Sequence, residues 1–254
     1  MFPYRDENPA ILTPIVTVAL IAANVAVWVF VQGMGAGPEL ARSVCQLGLI
    51  PGDLLGRLPI GSAFPVGGGM SCVIDGGTPW QTLVTSMFLH GGWLHLLGNV
   101  WFLWVFGNNV EDAMGHGRFA IFYLLAGLTA AAAQVIVDPG SSTPMVGASG
   151  AISGVMGAYA MFYPRVRIHT LVVLVVLFFR VAIPAWAMLG YWFLLQLLGS
   201  STNEIGGVAF AAHVGGFAAG ALLCLPFRDP SLWAKRNELL AARGWATPSG
   251  GVFR

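Results

Sequence analysis

Gly147-Ala148-Ser149-Gly150 and Ala212-His213-Val214-Gly215-Gly216 decide the reading of this chain. Both stretches lie in sequence apolar enough for a membrane interior, and each carries one conspicuous polar side chain. A hydroxyl and an imidazole cost free energy in hydrocarbon unless they find partners, so polar groups at that depth are functional candidates by default. Ser149 has the chemistry of a nucleophile and His213 that of its base.

The chain around them is 254 residues long, 56% hydrophobic and 9% charged, against about 25% charged for soluble domains. Its class is therefore an integral membrane protein. Charges collect near Arg5 to Glu7, Glu111 to Arg118, Arg165 to Arg167 and Arg228 to Glu238, leaving apolar runs between them. Those runs predict an all-α, polytopic helical bundle with six spans, at about 11–32, 92–107, 118–137, 149–163, 184–199 and 207–226. The apolar segment 168–182 is interrupted by Arg180 and followed by Pro184, so it reads as an interfacial or re-entrant piece. Were it to span, there would be seven helices. A formal net charge of +1 and the lack of basic blocks interleaved with aromatics set nucleic acid aside.

Lys and Arg set the orientation. With both termini inside, the inner segments carry Arg5, Arg118, Arg165, Arg167, Arg180, Arg228, Lys235, Arg236, Arg243 and Arg254, the outer ones only Arg42 and Arg57. The expected organisation is a first helix within 1–33, uncleaved, a long outer segment over 34–80, a core over 81–227 and an inner tail over 228–254. The Gly- and Pro-rich outer segment is too long for a structureless loop, so it predicts short helices lying on the outer leaflet. It holds Cys45 and Cys72, which in an oxidising compartment either bridge or stay free; the sequence leaves both open. Cys224, in the last span, packs as a small apolar side chain.

A second polar set follows Trp80. His95 and Asn99 stand four residues apart and so share a helix face. Both can donate hydrogen bonds, which suits an oxyanion if they converge with a backbone N–H; each could instead satisfy a carbonyl on a neighbouring helix. Ser149 at a helix start would have free N–H groups and a positive dipole end beside it. Gly150, Gly154 and Gly157 form one small-residue face, while Gly216 and Gly220 share a stripe with His213. Such stripes let helices approach closely, which predicts Ser149 Oγ within hydrogen-bond reach of the His213 ring.

The expected spans contain no Asp or Glu, Glu111 and Asp112 falling at an inner helix end, so a serine triad closed by a carboxylate is excluded and a dyad is left. The absence of H-E-x-x-H and of intramembrane aspartates excludes the zinc and two-aspartate alternatives. No cofactor and no metal is expected. A transporter reading predicts repeated halves, and no internal repeat is evident.

On these residues the chain resembles the rhomboid intramembrane serine proteases over about 80–225: His95-x-x-x-Asn99, Gly147-Ala148-Ser149-Gly150 and Ala212-His213-x-x-Gly216 occur in the family's order. The resemblance implies Ser149 as nucleophile, His213 as general base, and His95 with Asn99 lining the oxyanion hole. It gives His90 a structural role and matches Gly107 and Glu111 to positions after the second span. It implies transmembrane protein substrates and the lipid bilayer as the working medium, and the compact plan of the chain suggests a bacterial cell membrane. Two departures stand out. Ser153 occupies a position where relatives frequently carry Tyr against the catalytic imidazole, so His213 must be oriented by something else. Trp80-Gln81 replaces a Trp-Arg pair in the outer loop. A movable cap is expected, with Gly206-Gly207 as its hinge.

Overall fold

The computed structural model describes residues 2–67, 69–77, 79–174, 177–202 and 209–244. In chain order it contains β1 (Phe2–Asp6), α1 (Ile15–Phe30), α2 (Gly37–Leu47), α3 (Pro51–Leu54), β2 (Ala63–Gly67), β3 (Met70–Val73) and α4 (Thr82–Thr85). There follow α5 (Trp93–Met114), α6 (His116–Val137), α7 (Ser149–Phe162), β4 (Arg167–Leu174), β5 (Leu177–Pro184), α8 (Ala185–Thr202), α9 (Phe210–Phe227) and α10 (Pro230–Ala242). The protein is mostly helical, with helices α1 and α5 to α9 over the apolar runs. Among the described residues, His116–Val137 and Phe210–Phe227 are long and apolar enough to cross a membrane. The outward faces of the bundle are oily, Leu94 and Leu222 being 88% and 78% exposed.

The centre of the bundle is α7, in which every residue from Gly150 to Tyr159 is buried. Its glycines allow this. A Cβ on Gly154 would stand 2.5 Å from the Ala126 Cβ of α6, and one on Gly216 or Gly220 of α9 would collide with the carbonyl oxygens of Gly150 or Gly154. With no side chain in the seam, backbone meets backbone and α9 lies directly against α7. Gly115, at φ +78°, makes the tight turn between α5 and α6, where a side chain would be strained.

The all-α expectation needs correction at both ends. Segment 168–182, expected as an interfacial or re-entrant piece, is not helical but folds as the antiparallel hairpin β4–β5, and β1 completes a three-stranded sheet in the order β1-β4-β5. Its sequence, Arg167-Ile-His-Thr-Leu-Val-Val-Leu174 followed by Leu177-Phe-Phe-Arg-Val-Ala-Ile-Pro184, is rich in β-branched and aromatic residues that fit a pleated surface. A short apolar run of this kind cannot be told from a helix by hydropathy alone. The outer segment holds the expected short helices, α2 and α3, together with the unexpected hairpin β2–β3. Cys45 of α2 and Cys72 of β3 form a disulfide with their Cα atoms 5.4 Å apart, and Cys224 is free and buried.

The end of the bundle that carries the three-stranded sheet is fastened by buried charge. Glu111 accepts from the Val16 and Thr17 N–H groups at 2.9 and 2.8 Å and from the Thr17 hydroxyl at 2.7 Å, capping the start of α1 from α5. Asp112 accepts from the Ile11 and Leu12 N–H groups and pairs with Arg236 of α10 at 2.9 Å, both side chains being 1% exposed. Arg236 also donates to Asn8 Oδ1, so the tail is a docked helix as far as residue 242. Removing one partner from a pair this buried costs about 3–5 kcal/mol.

Candidate active site

Ser149 is the first residue of α7, at the end of the bundle away from the three-stranded sheet. The turn that delivers it depends on Gly147, whose φ of +130° an L side chain rarely adopts. A Cβ there would also stand 2.7 Å from His95 Nε2 and 3.4 Å from Ser149 Oγ, so glycine keeps that space clear between the two side chains. The loop is held from outside the helix: the Gly147 N–H donates to Ser86 O at 2.9 Å, and Met145 exchanges backbone hydrogen bonds with Leu49 of the outer segment.

His213 lies in the first turn of α9, where the backbone seam with α7 brings it across. Its Nε2 is 2.7 Å from Ser149 Oγ. Residues 64 positions apart in sequence thus share one hydrogen bond, with the spacing that the two glycine stripes predict. The ring is flanked by Trp192 of α8, centroids 5.9 Å apart and tilted by 38°, and by the edge of Phe210 at 6.5 Å. Ser153 does not reach it; its hydroxyl donates back to the Ser149 carbonyl at 2.6 Å. The other ring nitrogen, Nδ1, lies 2.8 Å from Oε1 of Gln196 on α8.

Gln196 is a residue that the sequence reading missed, although a signal was present. It is the one carboxamide in the apolar run Ala185 to Leu198, and an intramembrane amide deserves the same suspicion as an intramembrane hydroxyl.

His95 and Asn99 lie one turn apart on α5. His95 lines the site cavity, and its Nδ1 accepts from the Gly91 N–H at 3.2 Å. Asn99 is 7% exposed and sits one turn deeper, outside the cavity lining, and its Nδ2 is buried without a hydrogen-bond partner. His90 is fully buried beneath, its ring 5.2 Å from that of His95 in an edge-on contact. Gln32 clamps the His90 backbone through two hydrogen bonds of 2.8 Å, fixing the end of α1 to the loop before α5.

These groups open onto a cavity of about 710 Å³ lined by Ser149, His213, His95, Met87, Trp93 and Met145, among others. Its described lining contains no charged side chain. Glu111 and Gly107 stand at the far end of α5, Glu111 in the cap of α1 and Gly107 against Thr17. Gly206-Gly207, the expected hinge, falls outside the described residues. Among the described residues no three His, Cys, Asp or Glu side chains gather as metal ligands. A serine hydroxyl hydrogen-bonded to an imidazole at a helix N-terminus can perform acyl transfer.

A family model described as Rhomboid domain matches residues 77–229. The chain is 34% identical over 155 residues to Rhomboid protease GluP of Bacillus subtilis, covering 58% of this chain and 27% of that one. It is 32% identical over 146 residues to Rhomboid-like protease 5 of Toxoplasma gondii, covering 55% and 15%. It is 29% identical over 224 residues to RHOMBOID-like protein 4 of Arabidopsis thaliana, covering 80% and 50%. The chain therefore spans half or less of the length of each of these relatives.

Proposed function

This chain belongs to the rhomboid family, whose members are multi-pass membrane proteins, and we propose that it is an intramembrane serine endopeptidase cleaving transmembrane segments near the outer face. The observation that carries this reading is the 2.7 Å contact between Ser149 Oγ and His213 Nε2 on a cavity of about 710 Å³.

The substrate helix unwinds at the cavity and presents its scissile carbonyl to Ser149. As the Oγ–carbon bond forms, the hydroxyl proton passes to His213 Nε2. Negative charge develops on the carbonyl oxygen, where the Ser149 N–H, the dipole of α7 and His95 receive it, and Asn99, one turn deeper on α5 with its Nδ2 free, is the further donor once the substrate opens the cavity to that depth. The imidazolium returns its proton to the leaving amine as the carbon–nitrogen bond breaks. Water, deprotonated by His213, then releases the acyl enzyme. These steps need no metal and no cofactor.

The catalytic unit in this reading runs over 81–227. It is preceded by the first helix within 1–33 and the outer segment 34–80, and followed by the tail from 228. Helices α1 and α5 to α9 make six spans with both termini in the cytoplasm, which puts ten basic residues inside and Arg42 and Arg57 outside. The Cys45–Cys72 bridge then lies in the outer compartment, where such bonds persist.

The test is cleavage of a labelled transmembrane substrate by the purified protein in detergent. Ser149→Ala and His213→Ala lose cleavage while keeping the wild-type melting temperature. Product from Ser149→Ala at the wild-type rate refutes the assignment.

A further inference from the structure

We propose that Gln196 is a positioning residue that fixes the protonation pattern of the catalytic imidazole, taking over the task for which the described lining of the site offers no carboxylate. The inference rests on the protease reading and names how its base is held.

A general base must present a lone pair to the hydroxyl, and a neutral imidazole has one lone pair and one N–H, on opposite nitrogens. Ser149 Oγ stands at Nε2 and Gln196 Oε1 at Nδ1, at 2.7 and 2.8 Å. An amide oxygen can only accept. Nδ1 therefore carries the proton and donates it to Gln196, and the lone pair is left on Nε2, facing the nucleophile. When Nε2 takes the Ser149 proton, the Nδ1 proton stays on the ring, and the same amide oxygen stabilises the imidazolium.

The surroundings assign this task to Gln196. Ser153 is turned back onto the Ser149 carbonyl, and the aromatic neighbours Trp192 and Phe210 supply ring contacts. The titratable group sharing the cavity is His95, and the described lining holds no carboxylate. A neutral acceptor in an apolar helix also avoids the desolvation cost of the ionised Asp or Glu used in triads. Because Gln196 belongs to α8 while Ser149 and His213 belong to α7 and α9, the base is competent only when three helices are in register.

The experiment joins kinetics to a spectroscopic readout. In wild-type protein with ¹⁵N-labelled histidine, the neutral His213 ring gives the signals of the Nδ1–H tautomer. Gln196→Leu, which fills the same space without an acceptor, shows both tautomers, and its kcat falls about tenfold or more with KM unchanged. Gln196→Glu, which restores an acceptor oxygen, recovers most of kcat. An Nε2–H ring in the wild type overturns the inference and needs no variant to be made. So does wild-type kcat in Gln196→Leu, or a loss in Gln196→Glu as deep as that in Gln196→Leu. Failure of the protease reading is separate: there the wild type cleaves no substrate, whatever its tautomer.

Discussion

Asn99 keeps a donor nitrogen buried and unpaired, an arrangement that costs about 1–3 kcal/mol in a folded protein. A group held at that cost is stabilised when an anion arrives, and the proposed mechanism brings one in the transition state. Asn99→Ala is therefore expected to lower kcat about a hundredfold, in the range of other lost oxyanion donors, with KM and melting temperature close to wild type. Equal kcat in the two proteins would remove Asn99 from the oxyanion site. At this scale the sequence was legible where chemistry is written in residue type and spacing: Ser149, His213, His95 and Asn99 all stand out as polar groups in apolar runs. Gln196 was overlooked because it belongs to no spaced motif. Its meaning depends on α8 being beside α9, which pairwise spacing along one helix does not encode.

Among the elements, the contact of α7 with α9 governs the site. Gly220→Ala puts a methyl group into the Gly154 carbonyl, and the helices must separate or shift to admit it. The expected result is a destabilisation of about 1–3 kcal/mol with a disproportionate loss of activity, because Ser149 and His213 ride on the two helices being parted. Gly98→Ala is the control: nothing stands within 4 Å of a Cβ there, and alanine favours a helix over glycine by about 1 kcal/mol, so its melting temperature is equal or higher. Comparable losses in both variants, followed by thermal unfolding and cleavage, would show that the seam has no special role. Long apolar runs located the large helices well. The hairpins β2–β3 and β4–β5 were not legible, since short apolar runs look alike as strand or helix, and neither was the pairing of β4 with β1 from more than 160 residues away, of which hydropathy carries no record.

For the molecule as a whole, the sheet-bearing end acts as a clasp joining the N-terminal strand, α5, α7 and the C-terminal helix. Asp6 lies within it, accepting from the Tyr159 hydroxyl at 2.5 Å and from Asn109 at 2.9 Å. Burial outweighs these hydrogen bonds and the nearby Arg236 charge, pushing the Asp6 carboxyl up from 3.8 to about 6. The folded protein therefore binds this proton more tightly than the unfolded chain, so the contribution is complete below pH 3.8 and is lost as pH rises through about 6. Asp6→Asn is expected to melt with a shallower fall across that window than the wild type, and parallel curves would contradict it. The clasp is remote from Ser149, so the variant keeps its activity. The account depends most directly on Ser149 being activated by His213, and active-site labelling by a fluorophosphonate, with the modified residue located by mass spectrometry, measures that. The expected result is a single adduct on Ser149 in the wild type, absent from Ser149→Ala and strongly reduced in His213→Ala. Labelling of another residue, or undiminished labelling of Ser149 without His213, would contradict it.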